Sequence, residues 1–559
     1  MRAGYSPPMP TVDSSSNGVR SQAPETVAGD SGRWWPLFSL VAIAIVFSVW
    51  AAIFIFRTSF DVHGQRYFCL WDDAMISMTY ARNLVEGYGL NWARWGDPVE
   101  GFTCPLWTFV MVWVNLLPID LPSRSLVVQA LALALLLCNL FAVAVLTSSH
   151  FLARESRIWL PAVVLTALYY PLNHWSLLGM ETSLQTLLIT LSVYLALSIR
   201  YHGKPRQLQL CLVLTAALLL RPDMLILVAV CLPAAMTRAD LTQRSLRERW
   251  LPGLLVLVLL PLGYEVFRLA YFGDPLPNTY YLKLYEVPVV VRLLRGGSVF
   301  VDFIRPFGGL ALAVLSGAVG LAVRRPQYRL PLATILAFFL YSVYVGGDAW
   351  EGEPLFANRF VSPVMPLFFV LFTGVLNQLV ALVAGRFSRA RLQLGAGLLA
   401  FALTAIAFLQ TNEVWRQPWE SQTWGRLALR KRPLYPSHQT SVRDTLRMRS
   451  LADKDAILAS VWAGIPAYFS DFRMVDILGY SDRHIARQKP AVDLCLDNLD
   501  IFRPGHIKWD LDYSLGQLSP DLVYRWYPTK RSFLRAIRRH GFTRAGPRFW
   551  KRSDSEKVR

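Results

Sequence analysis

Charge is scarce in this chain, and the places where it is missing exclude the most. Acidic and basic residues make up 17% of 559 residues against 54% hydrophobic, with a mean hydropathy of +0.34. That balance excludes a soluble protein of this size. The middles of the long apolar runs hold almost no acid or base, Glu265 and Arg268 near the end of 250–272 being the main exceptions. A pump or channel would instead distribute ionisable groups through its spans. No internal repeat appears, which argues against a transporter such as a flippase for lipid-linked sugars. There is no Rossmann-type glycine loop and no cytoplasmic Asp-x-Asp, as a nucleotide-sugar enzyme would need. Six scattered cysteines show no metal-ligand spacing. Cys138, Cys211 and Cys231 lie in apolar runs as packing residues, while Cys69 and Cys104 flank one polar segment and could pair on an oxidising side. The net charge of +19 is spread over loops and the C-terminal region without a nucleic-acid motif, so no nucleic-acid partner is expected.

What is present is a series of apolar runs. Those near 35–56, 125–147, 158–172, 183–199, 207–220, 223–237, 250–272, 306–323, 330–346, 360–384 and 393–410 read as eleven membrane helices, several shorter than the ~20 residues of an upright span. No Ala-x-Ala-like cleavage site follows Phe56, so the first run is expected to be an uncleaved anchor behind a disordered cytoplasmic tail, 1–33. The connections 148–157, 200–206, 238–249, 324–329 and 385–392 hold fifteen Arg or Lys and three acids. The connections 118–124, 173–182, 221–223 and 347–359 hold three basic residues and six acids. The positive-inside rule places the first set in the cytoplasm and the second outside. The parity holds only if 102–117 does not cross, so that run is expected to lie along the outer surface as a juxtamembrane or re-entrant helix. The reading divides the chain into the tail, a membrane module over 34–410 with a long outer loop at 57–124, and a soluble outer domain over 411–559. In that domain 456–461 and 473–478 read as strands around a turn at 463–466, a small α/β unit.

Polar features then gather on one face. Asp72-Asp73 stands about fifteen residues past the first span, and carboxylates at a membrane exit are functional candidates. The pattern suits an enzyme that takes a lipid-embedded substrate from the leaflet. Transfer of a sugar from a polyprenyl phosphate needs a carboxylate to deprotonate the acceptor hydroxyl, and Asp72 or Asp73 supplies it. It needs cations on the phosphate leaving group, for which Arg359, Lys283 and Arg221 are candidates. Arg359 comes first because the helix from Phe360 fixes its depth. Asn278, Tyr280, Tyr281 and Trp71 would line the headgroup site, with Glu181, Asp348, Arg82 and Glu100 as further donor- or acceptor-binding candidates. Each has a structural alternative: Glu181 as a helix cap, Arg221-Pro-Asp223 as an ion-paired turn, Asp348 as part of a turn after two glycines, Lys283 as a residue snorkelling to phospholipid. His484 and His506 read as ordinary histidines, and neither a metal site nor a cofactor is expected, with a divalent metal left open. A membrane scaffold whose outer domain only binds glycan is the third alternative.

These residues also carry a resemblance. Asp72-Asp-Ala-Met-Ile-Ser-Met-Thr-Tyr-Ala-Arg-Asn-Leu84, Gly87-Tyr-Gly-Leu90 and Val99-Glu-Gly-Phe-Thr-Cys-Pro-Leu-Trp107 are similar to the first outer loop of bacterial GT-C glycosyltransferases. The likeness continues in Leu178-Gly-Met-Glu-Thr182, Arg221-Pro-Asp223, Pro277-Asn-Thr-Tyr-Tyr-Leu-Lys283, Gly346-Gly-Asp348, Asn358-Arg-Phe-Val-Ser-Pro363, Gly464-Ile-Pro-Ala-Tyr-Phe-Ser470 and Val475 to Ile485. It implies an all-α membrane module with juxtamembrane helices in a long first periplasmic loop, and an acidic catalytic base in that loop. It also implies a polyprenyl-phosphate sugar as donor and a glycan or glycoprotein as acceptor, at the periplasmic face of the inner membrane. Within the class the chain most resembles the arabinofuranosyltransferase-like branch. Thr103-Cys104-Pro105 stands where many relatives carry Asn or Ser, so a mannose or other hexose donor is the alternative within the class.

Overall fold

The computed structural model describes residues 31–151, 159–237, 240, 242–304, 308–348, 358–383, 434–494 and 499–559. The expected tail and the expected span at 393–410 lie outside them, apart from the first residues of the helix Ser31–Thr58.

Helices dominate up to Val383. Among the described residues, six are long and apolar enough to cross a membrane: Leu37–Thr58, Arg124–His150, Thr182–His202, Leu246–Phe272, Pro326–Val345 and Ser362–Ala381. The helices Gln207–Leu220, Pro222–Ala235 and Ala311–Arg324 sit where spans were expected but are shorter. The run 158–172 falls on two helices, Leu160–Leu168 and Tyr170–Leu177. They break at Tyr169, two residues before Pro171, whose missing N–H suits the first turn of a helix and not its interior. Among the described residues, then, not every apolar run is a full-length span. Length separates them, and hydropathy alone does not. The outward faces of the first helix and of Leu251–Phe272 are bare Leu, Ile, Val and Phe, with Leu37, Phe38, Ile45, Val258, Leu259 and Leu262 all exposed, as lipid-facing surfaces require.

The run 102–117 forms the twelve-residue helix Pro105–Leu116, with Trp113 72% exposed. Trp107 on its buried side donates to Gly179 O at 2.8 Å, tying it to the turn before Thr182–His202. The stretch 273–305, read as loop, contains Asn278–Lys283 and the sixteen-residue helix Val289–Ile304. The latter has its polarity turned inward: Val289, Val290, Leu293, Leu294 and Val301 are exposed while Arg292 and Arg295 are buried. Arg295 donates to Gly346 O and, at 2.9 Å, to Asp348 O.

Two short strands, β1 (Phe60–Val62) and β2 (Gln65–Tyr67), make a hairpin after the first helix. The C-terminal region adds β3 (Ile457–Ser460), β4 (Arg473–Asp476), β5 (Leu522–Tyr524), β6 (Phe542–Arg544) and β7 (Phe549–Arg552) in one sheet of order β4-β3-β5-β7-β6. β4, β3 and β5 are parallel, and β7 and β6 run antiparallel at the other edge. The parallel strands are apolar because both faces are covered, with Leu458, Ala459, Leu522, Val523 and Tyr524 fully buried. Strands β3 and β4 fall where the sequence places them, and the short helix Ile465–Phe469 starts within the expected turn. This sheet packs into one core with Tyr80, Trp92 and Phe102 of the long loop and Phe272 of the membrane helix.

Candidate active site

The helix Asp72–Val85 opens with both carboxylates in its first turn, where the exposed N–H groups favour negative charge. Its capping residue Trp71 gives no side-chain cap; its ring lies among His174, Trp175, Tyr435 and His438, away from the cavity described below.

The two carboxylates then part company. Asp72 accepts hydrogen bonds from Ile465 N at 2.9 Å and Gly464 N at 3.2 Å, so it caps the short helix of the C-terminal region. The approach is close enough to demand glycine: a Cβ on Gly464 would lie 1.9 Å from Asp72 O. Burial raises the Asp72 carboxyl to about 6. Asp73 instead lines a cavity of about 50 Å³, together with Lys283, Arg221, Arg359, Glu181 and Tyr480. Arg359 Nη1 lies 2.6 Å from Asp73 Oδ2, and its Nε lies 3.4 Å from Asp348 Oδ2. Burial works against ionisation of Asp73, but Arg359 and then Lys283 outweigh it and hold the carboxyl below its usual range. Burial, then the neighbouring Arg359, push the Lys283 ammonium down to about 8. Arg221 is paired with Asp223 at 2.8 Å and with Glu181.

Several of the expected site residues do other work. Arg82 donates to Tyr468 O at 2.5 Å and Ser470 O at 3.0 Å, and pairs with Asp471 at 2.7 Å and Glu86 at 2.6 Å. It braces the long loop against the C-terminal region and does not line the cavity. Glu100 pairs with Arg268 at 2.7 Å and accepts from Tyr264 at 2.5 Å, which gives the charged end of that membrane helix its partner. Asn278 donates to Gly479 O, Tyr480 O and Asp482 O and so holds a loop of the C-terminal region. Tyr280 is 41% exposed, and Tyr281 lies under Arg487 at 4.2 Å. Asp348 is buried behind Arg359 and reaches the cavity only through it. Glu181 makes no capping bond to the helix it precedes. Cys69 and Cys104 are both free; Cys104 Sγ sits 3.5 Å from Ser77 Oγ, on the cavity wall.

Residues passed over in the sequence also take part. Ser77 lies one helical turn after Asp73 and so faces the same side, a spacing that was legible. Tyr480 and His506 come from the C-terminal region; Tyr480 lies within the Val475–Ile485 stretch of the resemblance but its spacing does not single it out, and His506 read as an ordinary histidine. His506 lies near enough to Asp73 to feel its charge, which opposes the lowering that burial imposes on the imidazole. Lys508, fully buried, donates to Tyr281 O, Tyr285 O and Ala486 O at 2.8, 2.8 and 2.9 Å and clips the segment carrying Lys283 to the C-terminal region. Among the described residues no group of three or more His, Cys, Asp or Glu is placed to hold a metal ion.

No protein-family model matches the chain. It is 28% identical over 401 residues to a terminal β-(1→2)-arabinofuranosyltransferase of Corynebacterium glutamicum, covering 62% of this chain and 54% of that one. With the protein of the same name from Mycobacterium tuberculosis it shares 25% over 358 residues, covering 56% and 54%. The chain thus spans about half the length of these curated relatives. In fold it is similar to the crystal structure of ArnT from Cupriavidus metallidurans bound to undecaprenyl phosphate, with a TM-score of 0.52 at 11% identity over 94% of this chain and 99% of that one. Apo ArnT gives a TM-score of 0.50 over 81% and 87%. The sequence relatives thus carry the arabinofuranosyltransferase name that the resemblance anticipates, and the likeness to ArnT is one of fold.

Proposed function

We propose that this protein is an integral-membrane glycosyltransferase. It moves a sugar, arabinofuranose in the preferred reading, from a polyprenyl-phosphate donor to a glycan or protein of the cell envelope, at the periplasmic face of the inner membrane. The observation that carries the reading is Asp73 bridged to Arg359 at 2.6 Å in a buried cavity that Lys283 and Arg221 also line. The arabinofuranosyltransferase names of the sequence relatives support the sugar, and a neighbour of this fold holding undecaprenyl phosphate fits the donor class.

The geometry supports the following roles. Asp73 deprotonates the acceptor hydroxyl as it attacks the anomeric carbon, and Arg359 and Lys283 take the charge that develops on the leaving phosphate. Arg221, aligned by Glu181 and Asp223, widens that positive wall. Asp73 at rest is too well paired to be a strong base. A donor phosphate competing for Arg359 loosens that pair, so the carboxylate gains basicity when the donor is in place. Asp72, Asp348 and Asn278 act as positioning residues, through Gly464–Ile465, Arg359 and the 479–482 loop in turn. The membrane module, 34–410, is taken to hold the lipid tail and the outer domain, 411–559, to close the site.

Purified protein offered a polyprenyl-phosphate arabinose and, separately, nucleotide sugars is expected to turn over only the lipid donor. Turnover with nucleotide sugars alone would end this reading.

A further inference from the structure

The C-terminal region reaches the cavity through Tyr480, and the loop that presents this residue is pinned to an unusual degree. Asp476, at the end of β4, accepts from Leu478 N at 3.0 Å, Gly479 N at 3.1 Å and Ser481 N at 2.8 Å. From the opposite side Asn278 Nδ2 donates to Gly479 O at 2.9 Å, Tyr480 O at 2.9 Å and Asp482 O at 3.2 Å. Asn278 is itself fixed, its backbone N donating to Glu100 O at 2.9 Å. A short loop held this way places its one large side chain accurately.

That side chain is 7% exposed and lines the cavity beside Asp73, Lys283 and Arg359. Lys283 Nζ sits 5.6 Å from the centre of its ring. A Cβ on Gly505, whose φ is +84°, would lie 2.6 Å from the Tyr480 hydroxyl and 3.3 Å from Lys283 Cε, so phenol and lysine converge on one point. Among the described residues the hydroxyl makes no hydrogen bond. A buried phenol normally finds a partner, and one that lacks it on a cavity wall is a donor waiting for an acceptor. Burial, reinforced by Asp73, pushes the phenol well above its usual range, so it keeps its proton.

We propose that Tyr480 is a binding residue of the phosphate site: its hydroxyl donates to a phosphate oxygen held by Lys283 and Arg359. The C-terminal region thereby supplies part of the donor site. The assignment rests on the lipid-phosphate reading above.

The test uses the full chain in nanodiscs, with undecaprenyl phosphate and inorganic phosphate as probes, on wild type and Tyr480→Phe. Phenylalanine keeps the ring and its contact with Lys283 and removes only the hydroxyl. The variant is expected to bind undecaprenyl phosphate about tenfold or more weakly, as for the loss of a hydrogen bond to a charged group. Its melting temperature should stay at the wild-type value. Equal affinity in the two proteins overturns the proposal, as does a Tyr480→Phe protein that unfolds, since the hydroxyl would then be structural. A wild type that binds neither probe overturns the donor reading itself. Tight binding of inorganic phosphate by wild type, lost in the variant, would keep Tyr480 as a phosphate ligand and reassign the source from lipid headgroup to free anion.

Discussion

Arg82 is buried and Arg359 nearly so, both are paired with carboxylates, and both sit where the long loop meets another part of the chain. Their surroundings differ in kind. Arg82 spends its donors on Tyr468 O, Ser470 O, Asp471 and Glu86, atoms fixed by backbone or by further ion pairs to Arg94 and Arg449. Arg359 reaches two carboxylates and no backbone carbonyl among the described residues, and it faces a cavity. An arginine saturated by fixed carbonyls is a brace. One that shares its charge with a carboxylate on a cavity wall can exchange that partner for an anion. Burial and ion pairing alone do not separate the two cases; the identity of the acceptors does.

The sharpest way to break this contrast starts with the two carboxylates at the head of the Asp72–Val85 helix. Asp73→Asn is expected to lower transfer by roughly 10²–10⁴ with folding intact, the range for general base catalysis, measured as kcat with lipid donor. Asp72→Asn should cost far less in rate and show instead as a lower melting temperature, since one Gly464 or Ile465 amide loses its acceptor, a penalty of about 1–3 kcal/mol. The reverse pattern would exchange the roles of the two residues. Next come the arginines themselves. Arg82→Met removes one partner from a buried network and should destabilise the protein by about 3–5 kcal/mol in thermal or denaturant unfolding. Arg359→Gln should instead weaken donor binding by about tenfold or more, with acceptor affinity little changed. If Arg82→Met changes donor affinity as much as Arg359→Gln does, the brace and the ligand are not distinct.

The smallest effect concerns pH. Burial and Arg359 lower Lys283 to about 8, so its ammonium is present below that pH and lost as pH rises through it. Affinity of the free enzyme for undecaprenyl phosphate should accordingly fall above pH about 8, and this limb should vanish in Lys283→Gln. A limb that persists in Lys283→Gln belongs to another group.

Most of the membrane part was legible because its signals are local. Apolar runs named most of the helices, Pro105–Leu116 within 102–117 among them. Two of the cavity's cations, Arg221 and Arg359, were legible for the same reason, each standing at the end of an apolar run, whereas Lys283 lies well inside the connection between two runs. Val289–Ile304 was missed although its apolar residues at 289, 290, 293, 294 and 301 repeat with helical spacing. The two arginines on its inner face made the stretch look like a polar loop. Strands β5 and β6 were missed because three residues carry too little pattern to read, and β7 because only Phe549 and Trp550 of its four residues are apolar; β3 and β4 sit in longer apolar stretches, 456–461 and 473–478. The different fates of Asp72 and Asp73, and the arrival of Tyr480 and His506, depend on tertiary contact between segments some four hundred residues apart, and no window along the chain contains that information.

The sequence distance of these contacts also sets a timetable for biogenesis. Asp72 and Arg82 find their partners 386 to 393 residues later in the chain. At a synthesis rate of about 5–20 residues per second, the helix Asp72–Val85 waits roughly 20–80 s for the segment that docks on it. During that wait a guanidinium and a carboxylate destined for burial stand in water, and the surface they will close stays open to chaperones and proteases. Ribosomes that stall before codon 464 would leave a membrane bundle with this helix undocked, so quality control could tell finished from unfinished chains by whether it is covered.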